Sequence, residues 1–120
     1  MAIFHLAHQS DWIAAQGSGE YRISSRGLQL DQVGFIHAST AEQLSGVAEH
    51  FYRDDPEELV VLVIDSDALA QSGIEVKYED GGDGELFPHI YGSITPDVVT
   101  QTIRAYFDGE GSFRLEEPLA

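Results

Sequence analysis

The chain predicts an α+β fold, and three stretches carry that prediction. Leu59 to Ile64 is a continuous apolar run of β-branched and leucine residues, which marks a central strand buried on both faces. Phe35 to Ala38 has strand-forming residues, and Thr40 followed by Gln43 is a capping box that opens a helix with Leu44, Val47, Ala48 and Phe51 on one stripe. Ile74 to Glu79 and Glu85 to Gly92 are strand-like segments joined by Asp80-Gly81-Gly82-Asp83-Gly84, a hairpin-like turn.

The remaining elements follow in order. Ile3 to Leu6 reads as a first strand, with Ile3 and His5 on one face and Phe4 and Leu6 on the other. Ser10 or Asp11 caps a short helix through Gln16, and Gly17-Ser18-Gly19 stops it. Glu20 to Ser24 alternates as a strand, and residues 25–33 form a polar connection. The helix from Ala41 to about Tyr52 leaves His50 off its apolar stripe, and Arg53 to Glu57 is an acidic turn. Asp65 to Asp67 caps a helical turn that Gly73 ends. Pro88 interrupts its strand, which confines that position to an edge or a bulge. Thr95-Pro96 starts a helical turn, Gln101 to Phe107 alternates again, and Phe113 to Leu115 is a last short strand.

A length of 120 residues fits one domain, 1–120, with a single core. The 21 acidic residues against 6 basic give a formal charge of −15, a field that repels phosphate backbones and anionic lipid. Nucleic acid and membrane are therefore disfavoured as partners. An anionic small molecule would need local donors such as Arg22, Arg26, backbone N–H groups or a helix end. The absence of cysteine removes thiolate zinc sites and cysteine nucleophiles and fits a reducing compartment. Without an apolar run long enough to span a bilayer, a cytoplasmic protein is the expectation.

Chemistry has few places to sit. His37 lies at the end of a strand with Ser39 beside a helix start, so a ring nitrogen and a hydroxyl stand at one corner. On the proline-broken strand, Glu85, Phe87, His89 and Tyr91 share one parity, which turns polar-tipped side chains toward a common cleft. A carboxylate near histidines in a partly dry pocket suits acid–base work. His5 has a plain alternative role as a core histidine with both nitrogens satisfied. His5 and His8 point oppositely on an extended strand and make poor joint ligands, whereas His5, His37 and His89 remain an alternative metal-assisted hydrolase site. The Asp80–Gly84 turn lacks the ligand spacing of an EF-hand. There is no nucleophile elbow, Walker loop or dinucleotide-binding glycine fingerprint.

Phe4-His5-Leu6, the stretch Gly34-Phe35-Ile36-His37-Ala38-Ser39-Thr40-Ala41-Glu42-Gln43, Leu59 to Asp65, and Gly84-Glu85-Leu86-Phe87-Pro88-His89-Ile90-Tyr91-Gly92 resemble the small bacterial family DUF952, a domain of unknown function. The resemblance covers nearly the whole chain. It implies a fold similar to the ADP-ribosyltransferases, whose split antiparallel sheets clasp NAD. In that likeness His5 corresponds to a first-strand histidine that bonds the adenosine ribose. His37 stands near the tyrosine that stacks on nicotinamide, and Glu85 matches the glutamate that orients the nicotinamide ribose and stabilises an oxocarbenium ion. Three departures stand out: a histidine in place of the stacking tyrosine, a His5-Leu6 pair where the poly(ADP-ribose) polymerases have His-Gly, and a Pro88-His89 pair without an equivalent.

The resulting expectation is a domain that binds NAD or a related nucleotide and cleaves or transfers at the N-glycosidic bond. Glu85 and His37 are its catalytic candidates, and His5, Arg22, Arg26, Ser39, His89 and Tyr91 its ligand contacts, with no metal required. A non-catalytic nucleotide- or protein-binding module is the rival expectation.

Overall fold

A computed structural model describes residues 1–119. The chain runs through β1 (Ala2–His8), α1 (Gln9–Ser18), β2 (Ile23–Ser25), β3 (Leu28–Gln29), α2 (Leu30–Val33), β4 (Ile36–His37) and α3 (Ala41–Phe51). It continues through β5 (Leu59–Asp65), α4 (Ser66–Gln71), β6 (Glu75–Asp80), β7 (Leu86–Tyr91), a 3-10 turn at Pro96–Val98, β8 (Val99–Phe107) and β9 (Phe113–Leu115). The fold is α+β, with antiparallel sheets and a few short helices.

A four-stranded sheet of order β1-β5-β8-β9 forms the centre. β5 is buried along its apolar length because each face meets its own core. Val60, Leu62 and Ile64 pack with Ile3, Trp12, Ile36, Leu69 and Ile90 on one side. Val61 and Val63 pack with Phe4, Leu6, Leu44, Ala48 and Ile103 on the other. Burying one such aliphatic side chain contributes about 1.5–3 kcal/mol, so this strand accounts for a large share of the driving force.

A second sheet of order β4-β7-β6 stands apart. Period-two alternation divides its residues: Ile36 and Ile90 enter the first core with Val76 against it, and His37, Phe87 and His89 take the opposite face. The two sheets touch through the backbone at one bridge. The Phe4 N–H donates to the Ser39 carbonyl at 2.8 Å, and the Ser39 N–H returns a bond to Phe4 at 2.7 Å. This bridge fixes where β1 and the β4–α3 corner lie side by side.

Several elements depart from the sequence expectation. α1 starts at Gln9, because the Gln9 N–H donates to the Glu58 carbonyl at 2.8 Å and no Ser10 or Asp11 cap is needed. Gly17 lies inside this helix, and the stop falls at Gly19, whose φ of 90° is left-handed. Tyr21 makes an isolated bridge to Ile94, so the second strand begins only at Ile23. The connection 25–33 contains β3 and the one-turn α2, closed by Gly34 at φ 99°. Pro88 sits in the middle strand of its sheet rather than at an edge or a bulge. Its carbonyl accepts from the Ala38 N–H at 3.0 Å, and in an antiparallel strand N and O of one residue face the same neighbour. The missing donor therefore faces β4, which has already ended at His37.

Candidate functional site

Beside the Phe4–Ser39 bridge lies a cavity of about 260 Å³. Phe4 and Leu6 of β1, Leu28, Val33, Phe35, and Val47 and Phe51 of α3 give it mostly apolar walls. Polar groups enter at Ser24, Ser25, His37, Ser39 and Tyr52. Ser24 is 1% exposed and its hydroxyl has no hydrogen-bond partner, an uncommon state for a buried polar group. Burial pushes the Tyr52 phenol up to about 12, with the nearby Asp55 charge adding to the effect.

His5 also borders this cavity, yet both its ring nitrogens are engaged by the protein. Nδ1 lies 2.6 Å from the His37 carbonyl, which only accepts, so Nδ1 carries the proton. Nε2 then accepts from the Tyr21 hydroxyl at 2.8 Å. Burial lowers the His5 pKa to about 4, outweighing the carbonyl bond that favours the charged ring. The ring is neutral at pH 7 and ties β1 to the β4 corner.

His37 forms the wall between this chamber and a second of about 490 Å³, which also includes His50, Asp80, Asp83, Glu85, Phe87 and His89. Burial first, and the adjacent His89 second, lower the His37 pKa to about 4. No hydrogen bond from the protein takes its ring nitrogens, and they are not sealed from open space; Gln9 Oε1 and Ser24 Oγ are the unpartnered, fully buried side-chain atoms among the described residues. A neutral imidazole facing two chambers can accept or donate one hydrogen bond on either side.

The second chamber is shaped by the outer face of β4-β7-β6. His37 pairs with His89 in the β4–β7 register, with their ring centroids 5.6 Å apart. Phe35 stacks on His89 at 3.8 Å and 11°. His89 Nδ1 lies 2.9 Å from Glu79 Oε1, and the Tyr91 hydroxyl donates to the same oxygen. Those two hydrogen bonds, Tyr91 first, hold the Glu79 carboxyl below its usual range. Gly81 is required by proximity: a Cβ there would sit 2.6 Å from the Phe87 ring. Asp80 Oδ1 accepts from the Gly82 and Gly84 N–H groups at 2.6 and 3.0 Å, so this carboxylate organises its own turn.

The structure distributes the sequence candidates unevenly. His5, His37 and Ser39 meet at the first chamber, and His37, Glu85 and His89 meet at the second. Glu85 is exposed, and its Oε2 accepts from Gln43 Nε2 at 3.1 Å. Tyr91 reaches the site through Glu79. Arg22 lines neither chamber and pairs with Asp31. Arg26 also lines neither chamber, and it bonds the Phe51 carbonyl at 3.2 Å, Asp54 at 2.7 Å and Asp55 at 3.1 Å, so its charge is already matched.

Sequence reasoning missed Glu79, Phe35 and Ser24. Glu79 was legible only once the hairpin register put it diagonal to His89 across β6–β7. His8, set aside as a joint ligand with His5, instead bonds Asp55 at 2.5 Å and faces Glu57 and Asp11 at 3.7 and 3.5 Å. These carboxylates overcome the effect of burial and raise the His8 pKa.

Comparison with known proteins agrees with the fold. The crystal structure of protein CC0527 from Caulobacter crescentus superposes with a TM-score of 0.80 at 26% identity, covering 95% of this chain and 94% of that one. The solution NMR structure of CC0527 gives a TM-score of 0.74 at 27% identity, covering 92% and 90%. No curated protein matches the chain. The family described as "Protein of unknown function (DUF952)" matches residues 6–102, most of the length, and the chain belongs to that family.

Proposed function

We propose that the two chambers bind one nucleoside-bearing small molecule, NAD or a related nucleotide, and that the reaction is cleavage or transfer at its N-glycosidic bond. The observation that carries this reading is the His37 ring, neutral and open to both chambers, at the junction of an apolar pocket and a more polar, acid-rimmed one. A flat heterocycle suits the apolar walls, and a pocket of this kind with few polar groups is the usual form of a ligand site. Ser24 lines the first chamber, but its unpaired Oγ is sealed and would meet a ligand only if the wall shifts. His37 and Ser39 would hold the sugar between the chambers. Glu85 would stabilise positive charge developing on the ring oxygen through its carboxylate. The antiparallel sheets bridged at Phe4 and Ser39 support the likeness to the ADP-ribosyltransferase fold.

Charge refines the ligand. Asp80, Asp83 and Glu85 border the second chamber, and Arg26 is occupied by two carboxylates. A pyrophosphate gains little there, so the nucleoside half should carry most of the affinity. Calorimetry with NAD, ADP-ribose and nicotinamide riboside tests this directly, with nicotinamide riboside expected to bind at least as tightly as NAD. Nicotinamide release by the wild type, lowered in Glu85→Gln, tests the chemistry. No binding of any of the three at millimolar concentration removes the proposal.

One observation favours a binding module without turnover. Glu85 is exposed and held by Gln43 rather than placed in a dry pocket. In that case the ligand affinity survives Glu85→Gln unchanged and no nicotinamide is released.

A further inference from the structure

The geometry points to a catalytic dyad in the second chamber: His89, oriented by Glu79, is the base that takes the proton from the water or hydroxyl attacking the anomeric carbon. This rests on the nucleoside reading of the cleft and adds to it the group that activates the nucleophile.

The dyad stands on three independent features. First, the contact to Glu79 fixes the tautomer that the neutral ring takes. Glu79 Oε1 also receives the Tyr91 hydroxyl, so it acts as a carboxylate acceptor, and His89 Nδ1 at 2.9 Å must be the donor. Second, Phe35 lies flat on the imidazole at 3.8 Å and 11°, which fixes the plane of the ring. Third, the remaining nitrogen, Nε2, has no protein partner among the described residues, is not fully sealed, and belongs to a residue on the chamber wall. Burial to 4% exposure with one nitrogen anchored and the other left unbonded is the arrangement a positioned base needs.

The roles then separate. His37 has no carboxylate partner and acts as a hydrogen-bonding wall, whereas His89 has Glu79 to stabilise the imidazolium that forms on it. For a nicotinamide nucleoside, His89 Nε2 accepts a proton from water as the water oxygen bonds the anomeric carbon. The carbon–nitrogen bond breaks and its electron pair stays on the departing ring nitrogen, which converts the pyridinium to neutral nicotinamide. The imidazolium then releases its proton to solvent. With an acceptor hydroxyl in place of water, the same proton transfer gives group transfer. Glu79 is a positioning residue, because it touches only His89 and Tyr91 among these groups.

Two measurements test the assignment. Ring-nitrogen NMR of the full chain, uniformly labelled with 15N, should show His89 with a protonated Nδ1 and a lone pair on Nε2. Glu79→Gln should turn that single tautomer into a mixture, and nicotinamide riboside should shift Nε2 far more than Nδ1. In turnover, His89→Asn should lower nicotinamide release about a hundredfold or more with calorimetric binding retained. Glu79→Gln should lower it less, and Glu79→Asp should recover part of the rate. A protonated Nε2 overturns the proposal. So does release unaffected by His89→Asn, or a wild type that binds nicotinamide riboside without releasing nicotinamide. Absence of any binding, which calorimetry registers separately, takes the inference down together with the reading beneath it.

Discussion

His5 and His37 are alike in most local respects and opposite in use. Each lies on a strand between apolar neighbours, each borders the same cavity, and burial holds each neutral with a pKa of about 4. His5 spends both nitrogens inside the protein, on the His37 carbonyl and the Tyr21 hydroxyl. His37 spends neither. The difference arises from the sheets. β1 is packed on both sides, so both His5 nitrogens find protein partners, whereas β4 contributes only Ile36 and His37 to a sheet whose outer face lines a cleft. A depressed histidine pKa therefore records dryness, and only the hydrogen-bond partners reveal whether a ring is a strut or is left free to meet a ligand.

The largest expected effect separates these two histidines by stability. His5→Ala removes a buried ring and leaves the Tyr21 hydroxyl and the His37 carbonyl without their partner, a loss of about 3–5 kcal/mol. His37→Ala should cost about 1 kcal/mol, because the lost contacts face a cleft. Urea denaturation of both variants checks this, and equal losses would erase the distinction. In ligand binding the order should reverse, with His37→Ala weakening nicotinamide riboside about tenfold.

Acid acts on His5 and His37 in the same direction, since burial lowers both pKa values to about 4. The unfolded chain protonates His5 near 6.5, while the folded chain resists until about 4. Across that window the unfolded state binds more protons, so stability falls as pH falls. The full shift corresponds to roughly 3 kcal/mol for His5. His8 has the opposite sign: its raised pKa gives stability that is complete below 6.5 and lost as pH rises through the folded value. Asp55, whose pKa the His8 bond and the Arg26 charge lower against the effect of burial, adds stability that disappears as pH falls through its own folded value. Melting temperature followed from pH 7 to pH 4 should fall steeply in wild type and less in His5→Asn. A wild-type profile flat through this window would contradict a buried neutral His5.

Much of the architecture was legible in the chain because local rules and packing agree there. The apolar run of β5 demanded two covered faces and received them. The Thr40 and Gln43 signature opened α3 where expected, with Gln43 Oε1 accepting the Thr40 N–H at 3.0 Å. Failures fell where a distant partner satisfied a local need. Glu58 supplied the carbonyl that replaced a cap at α1, and the early end of β4 made room for Pro88 in a central strand. The site followed the same pattern. Parity on β7 correctly grouped Phe87 with His89, but Glu79 is ten residues before His89 and only the hairpin register joins them. Ser24 had no signal, since an unpaired buried hydroxyl is a property of packing.

That hydroxyl gives the smallest effect and the most discriminating one. Ser24 resembles His5 in burial and His37 in having nothing bonded to it, but its Oγ, unlike the His37 nitrogens, is sealed from open space. A buried hydroxyl without a partner has lost its water and gained nothing, and removing it relieves that desolvation. Ser24→Ala should therefore stabilise the ligand-free protein by about 1 kcal/mol in urea denaturation. Were Ser24 merely packing, ligand affinity would be unchanged. If the chamber wall shifts on binding so that this hydroxyl meets the occupant, the same substitution that strengthens the fold should weaken nicotinamide riboside binding several-fold, because the ligand's polar group is then left unpaired in its turn. Opposite signs in the two measurements would identify Ser24 as a group held ready for a ligand at the expense of the empty protein, and an unchanged affinity would assign it to the core beside His5.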